Sequence, residues 1–324
     1  MTTTPAGAAW QWTNTRHIAA LGEPLLELQP GVDGAVRMAF GGDVANSMIC
    51  LARILGRGAR RISLVTALGD SSYSAWLRQR LTREGINVIE PAMKGEPGIY
   101  GLPLDPASGP GFSYWRAQSA ARAFLQSADL SRFEDLLGET QLLLVTGITL
   151  ALCSAASFGH LCRWVDQHRD HCRIVFDCNF RKRLWESAAE ARERIGKFER
   201  LSSVIATGAE DEKALWDAED LAQIVARVSC LPAEYLIRGG AEGCWVGSGR
   251  EFRHVPTESV KVIGDTAGAG DAHLASYLAA RLSGSERPEA AAYANKAAAV
   301  IVRQRGSIPR EDAKFPALPV RGTT

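Results

Sequence analysis

The sequence predicts an α/β fold in which a mostly parallel sheet is covered by helices on both faces. Short runs that are apolar at nearly every position alternate along the chain with longer stretches of helical periodicity. A strand that is apolar at successive positions is buried on both faces, which is typical of a parallel sheet between two helical layers. The clearest runs are ISLVTALG from Ile62, QLLLVTGI from Gln141, RIVFDCN from Arg173 and SVIATG from Ser203.

The helices between these runs begin and end at characteristic residues. The first spans Asp43–Leu55, with Asp43 as its N-cap and an apolar face of residues spaced three and four apart. A second spans residues 73–84 and ends before a glycine. Two more helices, over 269–282 and 288–304, close the fold.

Two stretches rich in Gly and Pro interrupt this alternation. They contain short segments such as GIYGLPL and GFSYWR, whose alternating character predicts antiparallel strands inserted into the α/β frame. We expect these strands within about residues 22–40 and 97–117, as a small lid over the carboxyl ends of the main strands. The chain is then one domain over residues 1–324, with tails at 1–15 and 311–324.

The composition argues against several classes of function. The 37 Lys and Arg residues nearly balance the 36 Asp and Glu residues without a basic block, so nucleic acid is not an expected partner. No apolar run reaches the roughly 18 residues of a membrane span, and the first residues lack the pattern of a secretory signal. The seven cysteines are scattered without a CxxC pair, which indicates a reducing cytoplasm rather than disulfides or a zinc site.

The segment DTAGAGDAHLA, residues 265–275, is the sharpest candidate site. Gly268, Ala269 and Gly270 stand where a loop enters a helix, and small residues there let an anion approach the unpaired amides. Asp271 follows at once and could accept the proton of an attacking hydroxyl. On these residues alone, an equal alternative is a flexible turn followed by an acid that is stabilised by the helix dipole.

Other nucleotide-binding signatures are missing from the sequence. The chain has no P-loop signature, GxxxxGK followed by Ser or Thr, so a P-loop NTPase is excluded. It has no GxGxxG after its first strand, which weakens a dinucleotide-dependent function. The glycine turn before Asp271 is therefore the main candidate for an anion site.

A second segment, GGDVANSMICLARILG over residues 41–56, supports a functional interpretation of the first. Together with DTAGAGD it resembles the two signatures of the ribokinase-like (PfkB-type) carbohydrate kinases, in the same order and more than 200 residues apart. The resemblance covers nearly the whole chain. It implies a Rossmann-like three-layer sandwich with a small β lid, and ATP and Mg²⁺ as cofactors. It also implies Asp271 as the catalytic base, with Gly268, Ala269 and Gly270 as an anion hole.

Within that family, the chain resembles the kinases that act on 2-keto-3-deoxygluconate. The resemblance lies in FSYWRAQSAARAF, TGITLALCS, IVFDCNFRKRLW and EDEKALW. It implies a sugar acid phosphorylated on its terminal (6-) hydroxyl, whose carboxylate suits planar recognition by Arg. Each residue implied to bind substrate has a plainer alternative in a helix cap, a lid contact or a surface ion pair. These residues are Gly42, Asp43, Asn46, Tyr100, Tyr114, Arg116 and Arg181.

The nucleotide is expected along the other side of the sheet end. RGGAEG, residues 238–243, resembles the family's nucleotide-contacting turn, and a plain hairpin turn is the alternative. For Mg²⁺, the family's Asn-x-x-Glu motif corresponds here to Ala209 and Glu212, so Glu212 would act through water without the usual Asn. The residues implied to bind nucleotide are Arg238, Gly240, Gly243, Thr266, Gly268, Gly270 and Asn295.

Other functions stay open on the sequence. The nearest is a kinase of the same family for a neutral sugar, such as ribose or fructose, or for a nucleoside. A non-catalytic sugar-binding protein on this fold is less favoured because GAGD is intact. An NAD-dependent dehydrogenase would lack its phosphate fingerprint. A homodimer through the lid is also expected, since apolar residues on both lid faces could pair with another subunit's lid.

Overall fold

Strands and helices alternate along the chain. The computed structural model describes residues 10–31, 34–103, 111–127, 136–258, 260, 268–304 and 306–319. None of the helices in these ranges is long and apolar enough to cross a membrane. The strands are β1 (His17–Leu21), β2 (Leu25–Pro30), β3 (Val36–Gly41), β4 (Arg61–Val65), β5 (Ile86–Ile89), β6 (Gly98–Gly101), β7 (Ser113–Trp115), β8 (Leu142–Thr146), β9 (Arg173–Asp177), β10 (Val204–Gly208), β11 (Glu234–Arg238), β12 (Cys244–Ser248) and β13 (Glu251–Val255). The helices are α1 (Asp43–Leu55), α2 (Ser72–Arg83), α3 (Ala120–Gln126), α4 (Gly147–Leu152), α5 (Ala155–His168), α6 (Ala188–Leu201), α7 (Ala209–Trp216), α8 (Leu221–Val228), α9 (Ala269–Leu282) and α10 (Arg287–Ile301).

Nine strands of the described residues form one large sheet in the order β13-β12-β11-β10-β9-β8-β1-β4-β5. The strands from β11 to β5 are parallel, while β12 and β13 pair antiparallel at one edge. In register, Ile18 of β1 lies opposite Ile62 of β4 and Leu142 of β8. The predicted mostly parallel sheet is confirmed.

Alternate residues of the central strands face opposite apolar layers. Ile18 and Ala20 of β1 pack into a cluster with α1, α2, α9 and α10. Ala19 and Leu21 point to the other face and pack with α3 to α7. Because successive side chains of a strand point to opposite faces, a strand buried on both must be apolar at every position. This arrangement is the predicted three-layer sandwich.

A smaller sheet of four strands within the described residues, in the order β3-β2-β6-β7, is built from residues 25–41 and 98–115. β2 pairs antiparallel with β3 and parallel with β6, and β6 pairs antiparallel with β7. Tyr100 lies opposite Glu27 on one neighbouring strand and opposite Tyr114 on the other, so these three side chains share one face. That this small sheet acts as a lid stays a prediction.

Residues 10–15 pack against the fold, although the sequence predicts a tail at 1–15. Trp12 is buried, and the guanidinium carbons of Arg173 and Arg281 lie 4.7 and 5.0 Å from the centroid of its ring. A large ring gains stability from burial and attracts cations to its faces, which explains why this segment is held. Residues 1–9 lie outside the described residues.

The stretch predicted as a tail at 311–324 also contacts the core in its described part. Phe315 and Leu318 are partly buried and pack against the layer of α9 and α10. The carbonyl oxygen of Pro316 accepts a 3.1 Å hydrogen bond from the hydroxyl of Tyr293. Apolar side chains between the prolines therefore attach this segment, and residues 320–324 lie outside the described residues.

Candidate active site

The candidate site lies at the edge of the large sheet where its parallel strands end. Asp177 is the last residue of β9 and Arg238 the last of β11, while Glu23 follows β1 by two residues. Because parallel strands bring their carboxyl ends to one edge, these charged residues collect there. The first turns of α1 and α9 reach the same edge, where Asn46 donates a 2.8 Å hydrogen bond to Asp271.

Helix α9 starts at the glycine turn singled out in the sequence. Gly268 is the N-cap and has a φ of 74°, a left-handed conformation that glycine adopts without strain. A Cβ on Gly268 would lie 2.2 Å from the carbonyl oxygen of Ser307, so a larger residue requires the backbone to shift. Ala269, Gly270 and Asp271 form the first turn, and first-turn amides of a helix lack intrahelical partners and attract anions.

Asp271 is half-buried, and its pKa is raised to about 7. Burial is the main cause, since it removes water from the charged carboxylate. The carboxylates of Asp43 and Asp177 raise the pKa further, while the hydrogen bond from Asn46 and the charge of Arg238 lower it. A carboxyl that titrates near neutral pH suits proton transfer, because a general base works best when its pKa lies near the operating pH.

The start of α1 brings together three residues predicted to bind substrate, Gly42, Asp43 and Asn46. Gly42 has a φ of 112°, and a Cβ there would lie 2.6 Å from the carbonyl oxygen of Glu23. Asp43 accepts a 3.2 Å hydrogen bond from Nδ2 of Asn179. Asn179 was not among the predicted substrate residues, and its position two residues after the end of β9 is the signal that could have found it.

Arg238 is held by a buried acid. Its guanidinium donates hydrogen bonds of 2.5 and 2.9 Å to the two carboxylate oxygens of Asp177, and one of 3.0 Å to the carbonyl oxygen of Gly270. The two side chains of this ion pair are only 14% and 3% exposed. The sequence predicted that Arg238 meets phosphate oxygens directly. In the structure both terminal nitrogens of Arg238 bind Asp177 and one also binds Gly270, so Arg238 supports the glycine turn, and its contact with phosphate stays a prediction.

A cavity of about 230 Å³ lies between the small sheet and the segment that follows β9. Arg183 places its guanidinium carbon 4.1 Å from the centroid of the Tyr114 ring. Arginines beside an aromatic ring suit a small anionic ligand with a carbon skeleton. Tyr114, Arg116 and Arg181 were predicted for this site, and Arg183 was not. The lining residues are Phe112, Tyr114, Arg116, Ile148, Arg181, Arg183 and Leu184.

The two arginines predicted to bind a substrate carboxylate differ in exposure and in how closely they pair with an acid. Arg116 is 8% exposed and forms an ion pair with Glu23, whose carboxylate also accepts a hydrogen bond from Ser119. Burial raises the pKa of Glu23, while the charge of Arg116 lowers it. Arg181 is exposed, and its Nη1 lies 3.6 Å from Oδ1 of Asp211. Arg181 is thus more available to a ligand than Arg116, which lines the cavity with its charge already paired.

Tyr100, another predicted substrate residue, lies on β6 of the small sheet. Its hydroxyl donates a 2.6 Å hydrogen bond to Oε2 of Glu27 and lies 3.4 Å from Oγ of Ser307. Burial raises the pKa of Tyr100, and the adjacent Glu27 raises it further, so the hydroxyl stays protonated at neutral pH. The Tyr100 ring stacks on Tyr114 with centroids 6.0 Å apart. Tyr100 therefore fixes the aromatic wall of the cavity, with its own proton engaged by Glu27.

The turn expected to contact nucleotide follows β11. Gly240 has a φ of 60°, and a Cβ there would meet nothing within 4 Å, so this position is open. A Cβ on Gly243 would lie 2.3 Å from the carbonyl oxygen of Val255, so this glycine allows close backbone packing. Asn295 is buried and donates a 2.9 Å hydrogen bond to the same carbonyl, which attaches α10 to β13. Thr266 lies outside the described residues.

Glu212 is fully buried, and other side chains occupy both of its carboxylate oxygens. Oε1 accepts hydrogen bonds of 2.9 Å from Thr207 and 2.6 Å from Arg227, and Oε2 accepts one of 2.8 Å from Arg227. Arg227 also pairs with Glu199 at 2.8 and 2.9 Å. This differs from the expectation that Glu212 organises Mg²⁺ through water, since its carboxylate is already engaged on both oxygens.

The described part of the chain lacks a cluster of metal-ligating side chains. No group of three or more His, Cys, Asp or Glu side chains there could hold a metal ion. Mg²⁺ is commonly held by one or two carboxylates together with substrate phosphates and water. An ion that arrives with a nucleotide therefore needs no preformed protein cage.

A three-layer α/β sandwich with a small β sheet beside the strand ends, and an acid directly after a glycine turn, defines a kinase of the ribokinase-like class. The chain belongs to the pfkB family of carbohydrate kinases, whose family model matches residues 17–314. It is 31% identical over 303 residues to a 2-dehydro-3-deoxygluconokinase of Dickeya dadantii, covering 91% of this chain and 97% of that one. It is also 31% identical over 307 residues to a protein of the same name from Escherichia coli, covering 92% and 98%. The predicted family is confirmed.

Solved structures share the fold at lower identity. A 2-dehydro-3-deoxygluconokinase from Thermotoga maritima superposes with a TM-score of 0.76 at 20% identity, covering 91% of this chain and 95% of that one. A fructokinase from Vibrio cholerae, bound to fructose, ADP and calcium, superposes with a TM-score of 0.75 at 20% identity, covering 95% and 97%. A sugar kinase from Pyrococcus horikoshii in complex with ATP gives 0.73 at 21% identity, covering 91% and 96%. At these identities the likeness shows the fold alone.

Proposed function

We propose that this carbohydrate kinase transfers the γ-phosphoryl group of ATP to the terminal (6-) hydroxyl of 2-dehydro-3-deoxygluconate (2-keto-3-deoxygluconate) or a closely related sugar acid. The observation that carries the proposal is the carboxyl of Asp271, whose pKa is raised to about 7 beside the glycine turn that starts α9. Two relatives at 31% identity are named for that sugar acid. The arginine-lined cavity at the same sheet edge suits its carboxylate.

Asp271 is the general base in this proposal. Its carboxylate accepts the proton of the substrate hydroxyl while that oxygen attacks the γ-phosphorus, and the bond from phosphorus to the departing ADP oxygen breaks. The amides around Gly268, Ala269 and Gly270 take up part of the negative charge of the transferred group. The positive end of the α9 dipole acts in the same direction.

The substrate lies between the small sheet and the start of α1 in this proposal. Asp43 can accept hydrogen bonds from sugar hydroxyls, because a carboxylate offers two acceptor oxygens. Arg181, exposed and 3.6 Å from Asp211, can turn to a substrate carboxylate at little cost, since exposed ion pairs are weak. Arg116 acts by lining the cavity while it stays paired with Glu23. The proposed substrate residues remain Gly42, Asp43, Asn46, Tyr100, Tyr114, Arg116 and Arg181, joined by Arg183.

ATP is expected between the glycine turn of α9 and the turn that follows β11. The open space beside Gly240 supports this placement, and so does the hydrogen bond from Arg238 to the carbonyl oxygen of Gly270. Mg²⁺ would offset the charge of the phosphates when it binds with the nucleotide. That Glu212 helps to hold this ion stays a prediction. The proposed nucleotide residues are Arg238, Gly240, Gly243, Thr266, Gly268, Gly270 and Asn295.

A panel of acceptors tests the substrate class. Release of ADP would be measured with 2-dehydro-3-deoxygluconate, fructose, ribose and a nucleoside. Fructose is the needed comparison because a fructokinase of Klebsiella pneumoniae is 25% identical over 274 residues. We expect turnover on the sugar acid and loss of most activity on the neutral acceptors. Equal rates on ribose and the sugar acid would contradict the sugar-acid proposal, and no ADP release with any sugar acid would favour a binding protein.

We also infer a homodimer through the small sheet. Val36, Met38 and Trp115 are 55%, 40% and 58% exposed on its face opposite Tyr100. Exposed apolar side chains on a sheet are commonly covered by a partner. Light scattering should give twice the chain mass, and Trp115→Glu should shift the protein towards the monomer. A cytoplasmic localisation stays a prediction of the sequence.

A further inference from the structure

Ser307 contacts the proposed base through one intervening side chain. Its Oγ donates a 3.3 Å hydrogen bond to Oδ1 of Asn46, and Nδ2 of Asn46 donates one of 2.8 Å to Oδ2 of Asp271. Ser307 and Asn46 are both 4% exposed, so water competes little for these bonds. We propose that Ser307 is a positioning residue, which fixes the amide of Asn46 so that an N–H group always faces Asp271. This inference rests on the proposed role of Asp271 as the base.

The donors and acceptors along this path favour one arrangement. An ionised Asp271 only accepts hydrogen bonds, so Asn46 must present its NH₂ group and leave Oδ1 for another donor. The Tyr100 hydroxyl donates a hydrogen bond to Glu27 at 2.6 Å, so towards Ser307, at the longer distance of 3.4 Å, it can only accept. Ser307 donates to Oδ1 of Asn46, which at 3.3 Å is the nearer acceptor. If the amide turned over, its oxygen would face the carboxylate and destabilise the ionised form.

The backbone of Ser307 is held independently of its hydroxyl. Its carbonyl packs against Gly268, where a Cβ would lie only 2.2 Å away. Arg53 of α1 donates a 3.2 Å hydrogen bond to the carbonyl oxygen of Arg310, and it is anchored by hydrogen bonds of 2.6 and 2.8 Å to Glu84. The segment is therefore attached to the same helix that carries Asn46. Removing the hydroxyl should change the hydrogen bond to Asn46 without releasing the segment.

Several ionisable groups act on the base in addition to the neutral amide of Asn46. Asp43 of α1 and Asp177 of β9 raise the pKa of Asp271, and Arg238 of β11 lowers it. The thiol of Cys50 on α1 also lies close enough for Asp271 to raise its pKa, after the larger effect of burial. A Ser307 variant keeps all of these groups. Any change in the titration of Asp271 is then attributable to the amide of Asn46.

The test is the titration of Asp271 in the full chain, followed by carboxyl ¹³C NMR and by kcat/KM against pH. In Ser307→Ala we expect the midpoint to rise by about 0.5 to 1 unit, because one hydrogen bond to the charged form is weakened. Ser307→Cys keeps the volume but supplies only a weak donor, so its midpoint should rise in the same direction. If Ser307→Ala does not fold, the midpoint measured in Ser307→Cys tests the positioning role.

Ser285→Ala is the matched control. Ser285 is 1% exposed and donates a 3.1 Å hydrogen bond to the carbonyl oxygen of Pro319, beyond the far end of α9. Both alanine variants lose one buried hydroxyl bond, so a similar fall in Tm is expected from each, while only Ser307→Ala shifts the midpoint. An unchanged midpoint in both Ser307 variants would overturn the positioning role. An Asp271→Asn variant with full turnover would instead overturn the proposed base, so the two failures are distinguishable.

Discussion

Arg238 and Asp177 form a bidentate ion pair, with N–O distances of 2.5 and 2.9 Å, between the ends of β11 and β9. The same guanidinium donates a 3.0 Å hydrogen bond to the carbonyl oxygen of Gly270, in the first turn of α9. The ion pair therefore joins two strands of the sheet to the turn that carries Asp271. The ion pair supports the glycine turn, and a contact of Arg238 with phosphate stays a prediction.

Arg238→Met should destabilise the fold. The variant leaves the carboxylate of Asp177 buried without its cation, and breaking a buried pair from one side costs about 3–5 kcal/mol. Urea unfolding would measure the loss. Arg310→Met is the control, because Arg310 and Asp312 form a pair with side chains 71% and 76% exposed, and its loss should be below about 1 kcal/mol. Equal effects of the two variants would show that the Arg238 pair carries no special stability.

The rate should depend on pH near neutrality. Because the pKa of Asp271 is raised to about 7, the carboxyl is protonated and inactive as a base below that pH, and ionised above it. We therefore expect kcat/KM for the sugar acid to rise through pH 7 to a plateau. An ordinary aspartate, ionised above about pH 4, would give a flat profile over this range. A profile that is flat from about pH 5.5 to 8.5 would contradict the raised pKa.

Gly268→Ala should lower kcat more than the same substitution at a glycine outside the site. The new Cβ would lie 2.2 Å from the carbonyl oxygen of Ser307, so the start of α9 must move. Gly284→Ala, beyond the other end of α9, is the matched control. Gly284 also has a positive φ, of 95°, but its Cβ would meet only Thr13 at 3.6 Å. Both variants carry a conformational cost of about 1–2 kcal/mol, and only Gly268→Ala should also lose kcat. Equal kcat values would count against the anion hole.

Arg181→Met should raise KM for the sugar acid by about tenfold or more, as expected for a lost charged hydrogen bond of 1.5–3 kcal/mol. KM for ATP should change little, because Arg181 faces the cavity beside the small sheet. Arg169→Met controls for the loss of an exposed arginine, since Arg169 also lies 3.6 Å from an acid, Asp166. A KM for the sugar acid that is the same in both variants would remove Arg181 from the substrate site.

Patterns that are local in sequence predicted the fold and the first turns of the site. The bounds of α1, Asp43–Leu55, follow from its apolar spacing, and the structure has the same bounds. The predicted N-cap is wrong, since Gly42 caps the helix without a side-chain hydrogen bond and Asp43 is the first helical residue. The parallel sheet follows from strands that are apolar at every position. The glycine turn before Asp271 was also visible, because its conformation depends on Gly268 and the residues beside it.

The partners of charged residues could not be predicted in the same way. Arg238 pairs with Asp177, 61 residues earlier in the chain, and Arg116, just after β7, pairs with Glu23, just before β2. Whether an arginine is free for a ligand depends on which acid the fold brings to it, and a single sequence carries no signal for that. Trp12 shows the same limit, since its burial depends on helices and strands far along the chain.

The most direct test of the account is the turnover of Asp271→Asn. Asparagine keeps the shape of the side chain but cannot accept the hydroxyl proton as a base. We predict that kcat falls by about 10²- to 10⁴-fold, the usual contribution of a positioned general base. Binding of the sugar acid and of ATP, measured by calorimetry on the folded variant, should stay close to that of the wild type. A variant that binds both ligands and turns over at nearly the wild-type rate would contradict the role of Asp271 as the catalytic base.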